Sequence, residues 1–142
     1  MSHATIAALD RAAHTAQDWI VDVADEFETD DVEFAYRVTR AWLHVVRDRL
    51  PVAEAAHFAA QLPELLRGTF YEGWQPSAVP QRFGRIEFVE RFANTAGIAK
   101  SDVPKAVHAV SATLDWHISG HLRSVLQLLP EELRELLRPV QR

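Results

Sequence analysis

The 142-residue chain contains no cysteine, which removes disulfides, thiolate metal sites and cysteine nucleophiles together. That composition suits a reducing compartment, and Met1-Ser2-His3-Ala4-Thr5 leads into no signal-like apolar run, so the expected location is the cytoplasm. No apolar stretch approaches the roughly 18 residues of a membrane span, and none alternates apolar with polar residues as a half-buried strand does. Glycine is scarce: Gly68, Gly73, Gly84, Gly97 and Gly120 stand singly, so there is no glycine-rich phosphate loop. Only two lysines accompany thirteen arginines. In so alanine-rich a chain, that bias reflects genomic base composition rather than phosphate recognition.

Positive charge is scarcest in the first half. The net charge is −5, yet residues 1–72 carry 13 acidic and 6 basic side chains, against 7 and 9 in residues 73–142. Between Asp18 and Asp31 the acids Asp22, Asp25, Glu26, Glu28 and Asp30 occur without a lysine or arginine. A nucleic-acid backbone is repelled there, and the second half is too weakly basic to hold one.

What the chain has instead is helical periodicity. Ile6, Leu9, Ala13, Ala16, Ile20, Val23 and Phe27 recur three and four apart, which draws one apolar stripe along a helix from about Thr5 to Phe27. Asp30 or Asp31 caps a second helix, striped by Phe34, Val38, Ala41, Trp42, Val45 and Val46 and ending near Arg49. On it, Glu33–Arg37 and His44–Asp48 are spaced as surface pairs. Pro51 and Pro63 restart the chain as a third helix to Gln61 and a fourth toward Tyr71.

The chain then repeats itself. Asp31-Val32 leads to Leu62-Pro63-Glu64-Leu65-Leu66-Arg67, and Asp102-Val103 leads to Leu129-Pro130-Glu131-Glu132-Leu133-Arg134, with a shortening near Gly120. The expectation is an all-α fold: one helical domain over residues 1–142, a bundle of about seven or eight helices. Two similar halves, near 18–72 and 87–138, would be related by an internal pseudo-twofold and joined by a connector near 73–84.

The run from Gln61-Leu62-Pro63 through Leu66-Arg67-Gly68 to Phe70-Tyr71-Glu72-Gly73-Trp74, with Arg49-Leu50-Pro51 before it and Ala96-Gly97-Ile98 after it, resembles the bacterial family known as domain of unknown function 2267. The resemblance covers about residues 17–138. It implies an all-helical domain and brings no activity, cofactor or catalytic residue with it.

Candidate sites therefore rest on the residues alone. Phe70, Tyr71 and Trp74, with Arg67 leading into them, form the densest aromatic cluster, and the second half has no equivalent. They either plug the seam between the halves or present a partner- or ligand-binding surface. His117 and His121 have the i,i+4 spacing of a two-histidine metal site, but Gly120 interrupts them, no glutamate follows the first histidine, and His117 lies beside an apolar stripe. Ser119 makes no nucleophile elbow, and Asp22 with Glu26 belongs to a solvated acidic face. No catalytic residue and no cofactor are expected. The expected function is a non-catalytic interaction module that binds itself or an unidentified protein, without nucleic acid or membrane. Its acidic segment would meet Arg82, Arg85 and Arg91 of another copy. The alternative is a small-molecule or metal sensor using the seam.

Overall fold

A computed structural model of the chain describes residues 4–139, all helical or connecting, with no strand among them. Seven α-helices follow in order: α1 (Ala7–Phe27), α2 (Val32–Asp48), α3 (Val52–Ala59), α4 (Glu64–Tyr71), α5 (Arg85–Ala96), α6 (Val103–Leu126) and α7 (Glu131–Leu137). Short 3-10 turns at Pro76–Ala78 and Lys100–Asp102 precede α5 and α6. No helix among the described residues is long and apolar enough to cross a membrane.

Local chemistry sets the boundaries. The Asp31 carboxylate accepts from the Phe34 amide at 3.0 Å, satisfying one of the free donors that begin α2. Pro51, Pro63 and Pro130 stand immediately before α3, α4 and α7 with extended ψ angles of 157°, 149° and 156°, where a missing amide costs nothing. Gly97 closes α5 at φ +70°, a left-handed conformation that glycine adopts without penalty. Glu28 closes α1 at φ +69° without that advantage.

One hydrophobic core draws on all seven helices. α1 packs along α6 and α2 along α5, while α3 and α4 close over α2 and α6, and α7 lies on α6. Trp42, Phe58, Phe70, Phe88 and Phe92 are fully buried, and the Trp42 indole N–H donates to Ser111 Oγ at 3.1 Å, tying α2 to α6. The connector is anchored too: the Gln81 amide donates to Asp48 O at 2.7 Å, and buried Phe83 lies beneath the guanidinium groups of Arg49 and Arg91.

The two Leu-Pro-Glu motifs have the same local geometry. Each proline opens a short helix, and the arginine four residues later reaches back to the leucine carbonyl: Arg67 to Leu62 O at 3.2 Å, Arg134 to Leu129 O at 3.1 Å. The chain between the motifs is built differently: α2 stops and α3 restarts at Pro51, whereas α6 runs on and bends at Ile118 (φ −141°, ψ 48°). The break expected at Gly120 thus falls two residues earlier.

Candidate functional site

Arg40, His44 and Arg47 recur at intervals of four and three on α2 and face the end of α4. The last carbonyls of a helix lack intrahelical partners and carry partial negative charge. The α2 stripe supplies their donors: His44 Nε2–H donates to Thr69 O at 2.7 Å, and Arg47 donates to Phe70 O at 2.8 Å and Glu72 O at 2.7 Å. Arg47 is only 5% exposed and also holds Asp48 at 3.0 Å. Arg40 pairs with Glu72 at 2.7 Å, which holds that carboxyl below the usual range. Burial, reinforced by the two neighbouring arginines, holds His44 below the ordinary histidine value despite its bond to Thr69 O.

These contacts fix the aromatic segment. Phe70 is fully buried against Phe58, while Tyr71 and Trp74 are half-buried and packed on the core, Tyr71 meeting Phe70 edge-on and Trp74 at a tilt. Arg67 caps α3 through Ala59 O and Leu62 O, both at 3.2 Å. Between α2, the segment and α5 lies a polar cleft of about 510 Å³ lined by Arg40, His44, Arg47, Glu72, Gly73, Arg91, Asn94 and Thr95. Its cations are occupied from within: Arg91 holds Glu87 and Gln81 as well as Phe83. The cleft's one histidine is committed to the Thr69 carbonyl. The cleft is thus a seam held together by its own charged groups.

The other paired residues separate or find new partners. Arg37 donates to Ala96 O rather than pairing with Glu33, and His44 turns from Asp48 toward Thr69. Both pairings failed because a helix from elsewhere in the chain offers a carbonyl that spacing along α2 cannot foresee. The bend at Ile118 parts His117 from His121. His117 stacks on Trp19 at 4.2 Å and donates to Asp22 at 2.8 Å, whereas His121 faces His57 with ring centroids 5.8 Å apart. No group of three potential metal ligands comes together among the described residues.

A second surface is of another kind. The α1 stripe divides lengthwise: Ala16, Ile20 and Val23 are buried, but residues 4–11 are all exposed, with Ile6 at 63% and Leu9 at 59%. Directly below, an open groove of about 500 Å³ runs between α1, the start of α2 and α4. Ala13, Ala16, Ile20, Val21, Val32, Tyr36, Leu65 and Leu66 line it, and Gln17, Glu33 and Thr69 are its polar members. Val21, Val32, Tyr36 and Leu65 each remain more than a third exposed. Sequence reading missed this groove because those four lie off the main stripes of three different helices.

Residues 16–136 match the family model described as an uncharacterized conserved protein, DUF2267. The chain belongs to the DUF2267 family. No curated protein matches it. The DUF2267 match spans the seam, the aromatic segment and nearly all of the groove, while Ile6, Leu9 and Ala13 precede it. The apolar overhang of α1 is thus an extension of this chain beyond the matched DUF2267 region.

Proposed function

We propose that this DUF2267 protein is a non-catalytic interaction module of the cytoplasm that docks a second copy or another protein on the α1–α2–α4 face. One observation carries the reading: exposed apolar side chains, Ile6 and Leu9 at the start of α1 and Val21, Val32, Tyr36 and Leu65 around the groove that begins at Ala13, which the chain's own core leaves uncovered. Large apolar side chains grouped on one face, rather than scattered singly, mark a surface that meets something else. The opposite seam supports this by contrast, since its charged groups are consumed in holding α4 to α2. A sensor reading of that seam draws on one feature, the Trp74 indole N–H, which is buried without a partner.

Photo-reactive amino acids at Leu9, Tyr36 and Leu65, with exposed Gln127 as control, test the proposal in cells. The expected result is one discrete adduct from the three groove positions, at twice the chain's mass or the chain plus one partner. Groove positions that give only the background seen at Gln127 would refute it.

A further inference from the structure

The groove's charges indicate what fills it. No lysine, arginine or histidine lines it, while Glu33 does. On α1, Val21 has Asp18 one turn before it and Asp25 one turn after it, and residues so spaced are neighbours on a helix surface. Asp18, Asp25 and Glu33 are exposed, and none has a lysine or arginine partner among the described residues. Three carboxylates without a lysine or arginine partner therefore flank the apolar track. From Ile6 to Val21 the track is about 22 Å long at 1.5 Å per residue, enough for a docking helix of about four turns.

Resting on the docking reading above, we infer that the occupant is an amphipathic helix of another protein, with apolar anchors at helical spacing and lysine or arginine on its flanks. Its anchors cover Leu9, Val21 and Leu65, and its flanking cations meet Glu33 on one side and Asp18 and Asp25 on the other. A second copy docking its own α1 face would bring carboxylates against carboxylates, so charge disfavours that occupant. An anionic lipid surface is repelled for the same reason. Association of this kind is steered and selected by charge, and it weakens as salt screens it.

Three fluorescent helical peptides that share a leucine stripe and carry lysine, glutamine or glutamate flanks test the inference by anisotropy titration against the full chain. The lysine-flanked peptide is expected to bind at least about tenfold more tightly than the glutamate-flanked one at low salt, with the gap closing at high salt. Glu33→Lys with Asp18→Lys should reverse the preference, and Leu9→Glu with Leu65→Glu should abolish binding. All four positions are exposed, and far-UV circular dichroism confirms that each variant is folded. Equal binding of the three peptides, sensitive to Leu9 and Leu65, overturns the charge assignment and leaves the docking face standing. Absence of binding by any peptide, or binding indifferent to Leu9 and Leu65, counts against the docking face itself.

Discussion

Replacing Arg47 with methionine removes three contacts at once: the bonds to Phe70 O and Glu72 O, and the pair with Asp48. Summing charged hydrogen bonds at about 1.5–3 kcal/mol each would overestimate the cost, because removing the guanidinium also removes the penalty for burying it. Measured losses from breaking one side of a buried pair, about 3–5 kcal/mol, are the better guide. Asp48 keeps some water access, with its side chain 22% exposed, which places the expectation near the lower end, about 3 kcal/mol. At roughly 2–4 °C per kcal/mol for a chain near this size, the melting temperature should fall by about 6–12 °C. Urea denaturation followed by tryptophan fluorescence should show a lower midpoint at unchanged slope. Arg40 provides the control. Its contact with Glu72 is as short, at 2.7 Å, yet the two side chains are 36% and 58% exposed, and exposed pairs contribute little. Arg40→Met should leave the midpoint within error. If the two variants lose equally, or Arg47→Met loses less than about 1 kcal/mol, burial is not what separates them and the account of the seam is wrong.

The remaining predictions concern the same seam and the helix ends. Burial holds the His44 imidazole below the ordinary histidine value of 6.5, so near and below that pH the unfolded chain binds more protons than the fold does. Stability should be fully present above that pH and fall as pH drops through and below it, a loss that His44→Gln should reduce in melts across the range. Phe70→Ala, at a fully buried site, should cost about 3–5 kcal/mol by urea denaturation. Trp74→Phe removes a buried indole N–H with no partner and should be neutral or stabilising by up to about 1 kcal/mol; a loss as large as that of Phe70→Ala would show that the N–H is bonded. Glu28→Gly relieves a left-handed residue at the end of α1 and should raise stability by about 0.5–1 kcal/mol, whereas Gly97→Ala, at the equivalent conformation ending α5, should lower it by a similar amount.

Which features could be read from the chain follows from how far their causes lie apart. The starts of α2, α3 and α4 are set within a few residues by Asp31, Pro51 and Pro63, and all three were legible. The partners of Arg37 and His44 lie 59 and 25 residues away, so local spacing pointed to the wrong ones. Gly120 looked like a break because glycine weakens a helix, yet α6 passes through it and bends at Ile118. The docking of His117 on Trp19 and Asp22 of α1 lies at that bend, a contact across 95 residues that no local signal carries.

The Phe70–Trp74 segment and the N-terminal stretch of α1 differ in what surrounds them. The structure treats them oppositely. Phe70 is fully buried, its carbonyl and that of Glu72 are held by Arg47, and Tyr71 and Trp74 pack on the core behind it, so the aromatic segment is consumed by the fold. Ile6 and Leu9 are consumed by nothing: they continue an apolar stripe past the last residue that can reach the core and stand above a groove the core does not fill. The physical distinction is the number of sides on which a residue finds neighbours within its own chain, which depends on tertiary packing and not on residue type.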